Sequence, residues 1–271
     1  MKMRNIDDGI AWIYIREGLQ EAENCFLCYL ENRFEQRYMD NYLSELVMDA
    51  NEREKIIESR GFCNYHFQKM HAFSANPSSS DGLGMALILE SVTEQLLDDV
   101  KGQQPAKSAR SRRPRLRLKR NPHSISVSKL LKTVANQTKC PACDHVSTMM
   151  HVYTQDFLRE IDENEEILKL YDASMGMCIP HYVMALFIAS ETSDERYASA
   201  ARRIVDKQIQ ALEKSRFVLA EYIRKQDYHF SQKDRVGIEK TVDEGLARVT
   251  GKRGVETTLA SMLRTADRGS A

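Results

Sequence analysis

Apolar positions along this chain recur with a helical period. Phe34, Tyr38, Tyr42 and Leu46 stand four apart, which places them on one face of a helix over residues 30–49. Met149, Tyr153, Phe157 and Ile161 repeat that spacing in the second half. Aromatic side chains in such stripes are expected to pack in a core, with the two stripes facing each other or a shared interior. Met85, Leu89, Val92, Leu96 and Val100 predict a further helix over 81–100 that returns along the first. A long helix is predicted over 192–225, with Ala201, Val205, Ile209, Leu212, Leu219 and Ile223 along its buried side.

The sparse turn residues agree with this pattern. Twelve Gly and six Pro in 271 residues disfavour a sandwich or barrel and favour helices. No window approaches the ~18 consecutive apolar residues of a membrane span. Tyr182 to Ala189, among the longest apolar stretches, suits a buried helix. Residues 1–23 carry five acidic residues and no signal-peptide core. A cytoplasmic location is therefore expected, where six cysteines are metal ligands or catalytic groups before they are disulfides.

Those cysteines fall into two sets related by one offset. A shift of 115 residues carries Cys25, Cys28, Cys63 and His66 onto Cys140, Cys143, Cys178 and His181. The same shift superposes Tyr38 on Tyr153, Tyr42 on Phe157, Leu43 on Leu158, Ser59 on Ser174 and Gly61 on Gly176. Each half reads Cys-x2-Cys, 34 intervening residues, then Cys-x2-His. An internal duplication that uses every cysteine is the economical reading.

Three thiolates and one imidazole make a closed tetrahedral site suited to Zn(II), with no position left for substrate. Two ions per chain are expected in a structural role, with iron or an iron–sulfur cluster as the alternative. Pro141 and Pro180 stand where a first helical turn accepts them, so both ligand pairs read as helix starts. Gly61 and Gly176, two residues before the third cysteine of each half, suit the left-handed residue that closes a preceding helix. Each ion is then pinned between two helix N-termini, whose partial positive charge offsets the net negative charge of a three-thiolate zinc centre. Closure within a half, Cys25, Cys28, Cys63 and His66 as one site and Cys140, Cys143, Cys178 and His181 as the other, is the simpler pairing; exchange between halves is the other possibility. A thioredoxin-type redox pair fits less well, because Cys25-Phe26-Leu27-Cys28 lacks proline and neither pair follows a βαβ pattern. His71 and His145 fall outside the duplicated pattern and are expected at the surface or beside the ligands; His123 stands in the basic linker, His151 on a helix and His229 in Asp227-Tyr228-His229-Phe230, with no partner named by the sequence.

Charge divides the chain. The sequence holds 39 Lys plus Arg and 39 Asp plus Glu, for a formal net charge of zero. Residues 101–139 carry twelve basic residues and no acid, leaving the remainder at minus twelve. The organisation expected is a first repeat over 1–100, a basic flexible linker over 101–139 in which 125–134 resume a helix, a second repeat over 140–230 and a C-terminal extension over 231–271. Arg110, Arg112, Arg113, Arg115, Arg117, Lys119 and Arg120 are candidates for contact with nucleic acid or another anionic surface. The linker has no aromatic residue and hence no stacking platform for single strands. The bland alternative is a solvated loop docked on the acidic body.

The blocks Arg60-Gly61-Phe62-Cys63-Asn64-Tyr65-His66 and Gly176-Met177-Cys178-Ile179-Pro180-His181, with the two Cys-x2-Cys pairs, resemble an uncharacterised bacterial family known only as a domain of unknown function. Leu83-Gly84-Met85-Ala86-Leu87 resembles that family's Leu-Gly-Leu-Ala-Leu stretch, with Met85 as the departure. Lys225-Gln226-Asp227-Tyr228 through Leu246 to Gly251 resembles its ending. The resemblance spans about residues 13 to 251, apart from much of the linker. It implies a cytosolic, mostly helical, metal-binding protein, with ligand roles for the six cysteines and two histidines, and brings no reaction. The combined expectation is an all-α protein of two duplicated helical halves, each a metal-clasped hairpin followed by a long helix. Such a protein acts as a binding or adaptor module for a protein partner rather than as an enzyme. Nucleic-acid binding through the linker and an iron–sulfur or thiol redox function are the alternatives.

Overall fold

A computed structural model describes residues 6–74, 82–101, 139–231, 240–254 and 258. Every element among them is helical: α1 (Ile6–Glu21), α2 (Phe26–Ser44), a 3-10 turn (Leu46–Met48), α3 (Ala50–Ser59), α4 (Asn64–Ser74), α5 (Leu83–Lys101), α6 (Pro141–Glu160), α7 (Glu165–Ala173), α8 (Ile179–Ser190), α9 (Glu195–Arg224) and α10 (Thr241–Thr250). The basic run Arg110–Arg120 and the helix expected over 125–134 lie outside the described residues.

Local chemistry sets the helix ends. Asp49 caps α3 by accepting the backbone N–H of Asn51 and Glu52 at 2.8 and 3.0 Å, and Asn164 caps α7 in the same way through Glu166 and Ile167. At the end of α3, Arg60 (φ 60°) and Gly61 (φ 97°) both take left-handed conformations. Gly176, which follows α7, has φ 75°, so both glycines expected there have positive φ. Pro141 opens α6 and Pro180 lies in the first turn of α8.

The chain forms two compact units, Met1–Glu35 with Val146–Ala271, and Gln36–His145. Their boundaries fall inside α2 and α6 rather than at the linker, so the units do not coincide with the sequence halves. In the first unit, Phe26 lies on Phe157 (ring centroids 4.8 Å apart) and Phe34 on Tyr153 (4.5 Å). Residue number rises on α2 as it falls on α6, so the segments run antiparallel; of the first aromatic stripe Phe34 meets the second, while Tyr38 and Tyr42 belong to the core of the other unit. Ile15 and Leu19 of α1, Ile167 and Tyr171 of α7, and Met184, Ala185 and Ile188 of α8 complete this core. The core of the second unit holds Tyr38, Tyr42, Phe62, Met70, Met85, Ile88 and Val92. There Arg60 ties the end of α3 to α5 through paired bonds to Asp99 at 2.6 and 3.1 Å. Gly84 lets α5 close on the end of α2, since a Cβ at that position would stand 2.4 Å from the carbonyl oxygen of Leu43.

One predicted face is turned, and a second only in part, since Met85 and Val92 of its expected row are buried. The inward row of α9 is Tyr197, Ala200, Ile204, Gln208 and Ala211, whereas Ile209, Leu212 and Ile223 are exposed. In α5 the buried row is Gly84, Met85, Ile88, Ser91 and Val92, with Leu89 and Val100 outside. In α9 close helix packing brings the small Ala200 and Ala211 into the contact. Hydropathy, which weights bulk, selected the neighbouring row of large aliphatics.

Candidate metal centres

All four ligand pairs sit at helix starts. Cys25, Cys63, Cys140 and Cys178 immediately precede α2, α4, α6 and α8, and their second partners Cys28, His66, Cys143 and His181 lie in the first turn. The carbonyl of each leading cysteine accepts the N–H four residues on, at 2.9 to 3.2 Å. A Cys-x2-Cys or Cys-x2-His pair in this setting turns both side chains to one side of the helix end.

The structure assembles the pairs across the sequence halves. Cys25, Cys28, Cys178 and His181 form one cluster within the first unit, and Cys63, His66, Cys140 and Cys143 form the other within the second. Closure within each half, the simpler expectation, is thereby corrected. The reason lies in helix lengths. The 19 residues of α2 run about 28 Å, whereas the 10 of α3, which lead to Cys63, return only about 15 Å. The same imbalance separates α6, of 20 residues, from α7, of nine. In the first unit Cys178 and His181, which follow α7, meet the start of α2. Two helix N-termini do converge on each cluster, as expected, but they are α2 with α8 and α4 with α6.

Both clusters have the dimensions of a single tetrahedral ion. In the first, Nδ1 of His181 is 3.7, 3.4 and 3.2 Å from the sulfurs of Cys25, Cys28 and Cys178, and Cys28 and Cys178 are 3.5 Å apart. In the second, Nδ1 of His66 is 3.3, 3.4 and 3.4 Å from Cys63, Cys140 and Cys143, and Cys63 and Cys143 are 3.8 Å apart. An ion with Zn–S near 2.3 Å and Zn–N near 2.0 Å spaces its tetrahedral ligands about 3.8 Å (S to S) and about 3.6 Å (S to N) apart. No cysteine is in a disulfide.

The electrostatics fit a dication. Burial raises the Cys25 thiol, but hydrogen bonds from Cys178, Cys28 and His181 outweigh it and hold the group well below the usual thiol range. Cys63 is lowered by hydrogen bonds from Cys140 and Cys143. Their neighbours pay in the opposite direction: Cys28 is pushed up by Cys178 and Cys25, and Cys143 by Cys140 and Cys63. In each cluster one thiol is held low while a neighbouring thiol is pushed up, and a dication between them would favour the thiolate form of both.

The first cluster has polar surroundings that the sequence pattern did not announce. Glu31 and Glu35, on the same face of α2 as Cys28, are buried. An oxygen of Glu31 lies 3.8 Å from Nε2 of His181. Arg253 joins both carboxylates, its Nη1 3.3 Å from Glu31 and its Nε 3.5 Å from Glu35. A carboxylate facing the far nitrogen of a ligand histidine fixes its tautomer and leaves Nδ1 as the donor to metal. Arg248 donates to the carbonyls of Met175 and Met177, the latter at 3.2 Å, bracing the loop before Cys178. Gly251 follows α10 at φ 68°, ψ −173°, where a Cβ would stand 3.1 Å from Sγ of Cys178 and 3.7 Å from Sγ of Cys28. The signal for Glu31 was the i, i+3, i+7 spacing of Cys28, Glu31 and Glu35. Nothing local marked Arg253, Arg248 or Gly251.

Among the described residues, His71, His145, His151 and His229 stay out of both clusters. His145 stacks on Tyr38 at 4.7 Å, and its basicity is lowered by burial. His71 is exposed, and His229 pairs with Asp227 at 2.6 Å. His123 lies outside the described residues.

A chain whose described elements are all helical and that gathers six cysteines and two histidines into two sets of three thiols and one imidazole defines a class of helical Cys3His-cluster proteins. The chain belongs to the family of unknown function DUF6062, which it matches over residues 6–255. No curated protein and no solved structure matches it.

Proposed function

We propose that this protein is a cytosolic binding module held together by two structural Zn(II) sites, with Cys25, Cys28, Cys178 and His181 as ligands of one and Cys63, His66, Cys140 and Cys143 as ligands of the other. The carrying observation is that the four donor atoms of each cluster all lie within 4.8 Å of one another. That spacing supports one ion per cluster. A polynuclear iron–sulfur centre, whose ligands attach to different iron atoms, spreads them wider. Four protein donors fill a tetrahedral shell and leave no open position for a substrate, which favours a structural over a catalytic role.

A protein partner is supported by the outer surfaces of α9 and α10. Ile209, Leu212, Phe217 and Ile223 of α9 and Val242, Leu246 and Val249 of α10 are exposed. The inward side of α10 instead carries Thr241, Gly245 and Arg248, so its apolar stripe faces out, as at a binding surface. No helix among the described residues is long and apolar enough to cross a membrane.

The test is anaerobic metal analysis with an absorption spectrum on protein purified without added metal. Two zinc ions per chain and no visible absorption are expected. Iron with broad visible bands replaces the structural reading with redox chemistry, and a metal-free folded protein ends it. Binding to an anionic polymer through the linker, the second reading favoured by its twelve basic residues, is tested separately by a steep loss of affinity with salt.

A further inference from the structure

The two clusters meet solvent differently. All four residues of the first are buried, whereas Cys63 and Cys143 of the second are part-exposed beside buried Cys140 and His66. The first is also sealed from the C-terminal side. Gly251 lies against the sulfurs of Cys178 and Cys28, and Arg253, 4% exposed, is held behind them by Glu31 and Glu35. The first set of cysteines is therefore open to an oxidant only after a local opening that displaces this segment, whereas Cys63 and Cys143 already meet solvent in part. The sulfurs of these two part-exposed cysteines are also mutual neighbours, 3.8 Å apart, and come from helix starts separated by 80 positions in sequence.

We propose that Cys63 and Cys143 are a site of oxidation by hydroperoxides, which joins them in a disulfide and frees the ion of the second cluster while the first keeps its own. The proposal rests on the reading of both clusters as metal sites. One thiolate attacks the outer oxygen of the hydroperoxide; the O–O bond breaks, its electron pair leaves on the departing alkoxide or hydroxide, and a sulfenic acid forms. The second thiolate attacks that sulfur, the S–O bond breaks, and hydroxide leaves. Two thiolates, one hydroperoxide and two protons become one disulfide, one water and one alcohol, or a second water when the oxidant is hydrogen peroxide. The sulfurs need to close from 3.8 Å to the ~2.05 Å of an S–S bond. Cys140 and His66 then remain as a two-ligand set, too few to retain a dication in the closed geometry.

The experiment uses the full chain with its native metal content. Hydrogen peroxide is added in steps in the presence of a chromophoric chelator, ions released per chain are counted, and the cysteines are mapped by differential alkylation and mass spectrometry. Expected is the release of one ion of two, at least about tenfold faster than the other, together with a Cys63–Cys143 linked peptide. Cys25, Cys28 and Cys178 remain alkylatable after chelation and unfolding. Release of both ions at one rate, earlier loss from the first cluster, a Cys140–Cys143 disulfide, or no release at peroxide levels that oxidise a free thiol each overturns the proposal. Protein that holds no ion at the outset overturns instead the metal reading on which the proposal stands.

Discussion

Replacing Gly251 by alanine acts on the first cluster alone. Its backbone, at φ 68° and ψ −173°, lies in a region used almost solely by glycine, and a side chain there costs about 1–3 kcal/mol. The new methyl also meets Sγ of Cys178 at 3.1 Å and Cγ of Pro180 at 3.5 Å. Neither atom belongs to the free end of a long side chain: Cys178 caps α8, and Pro180 is fixed in its first turn. Overpacking of such a site adds roughly 1–3 kcal/mol. The segment after α10 should lift away, and transfer of the first ion to a chelator should accelerate by at least about tenfold, since 1.4 kcal/mol of easier opening already corresponds to that factor. Transfer from the second cluster should not change. Gly254→Ala is the control, because it also has positive φ (84°) but no atom within 4 Å of its would-be Cβ. If Gly251→Ala and Gly254→Ala release the first ion alike, the segment does not seal that cluster, and the account of its burial fails.

Metal stoichiometry of paired ligand variants tests the exchange between halves. Cys28→Ser with Cys178→Ser should leave one ion per chain and Cys28→Ser with Cys63→Ser none, whereas closure within halves gives the opposite result. Glu31→Gln removes the carboxylate facing Nε2 of His181 and should weaken the first site's metal affinity by about 10- to 100-fold in chelator competition. Gly84→Ala forces a Cβ to 2.4 Å from the Leu43 carbonyl oxygen; a loss of about 1–3 kcal/mol should appear as a lower thermal midpoint, and an unchanged midpoint argues against the close approach of α5. Asp162 is raised by burial, but bonds from Ser199 and Arg203 more than offset this and lower its pKa. Its folded pKa is then below the unfolded one, so its stabilisation is complete above the unfolded value and is lost as pH falls through the folded one. Asp162→Asn should flatten that acid limb in urea titrations at stepped pH.

The sequence exposed the donors and the helices but not the partners. Cysteines and histidines are legible because the offset of 115 residues repeats both their type and their spacing. Helix starts are legible because Pro141 and Pro180 belong to a first turn, and the aromatic stripes because Phe34 and Tyr153 are large. Which pairs meet is a matter of how far a return helix reaches, a property of the lengths of α2 and α3 and not of the motif. The inward face of α9 escaped notice because Ala200 and Ala211 pack by being small. Arg253 has no local signature at all; it matters only because the chain after α10 brings it to two carboxylates more than two hundred residues earlier, one of them 222 positions away.

The crossed pairing also sets an order of assembly. The last donor of the second cluster is Cys143 and the last of the first is His181, 153 positions after Cys28. Neither donor set is complete when the first hundred residues have been made, and the leading Cys-x2-Cys pair lacks its partners until Cys178 and His181 follow. A chain that stops between Cys143 and Cys178 holds one full donor set and half of another. Both donor sets are complete only once synthesis has passed position 181.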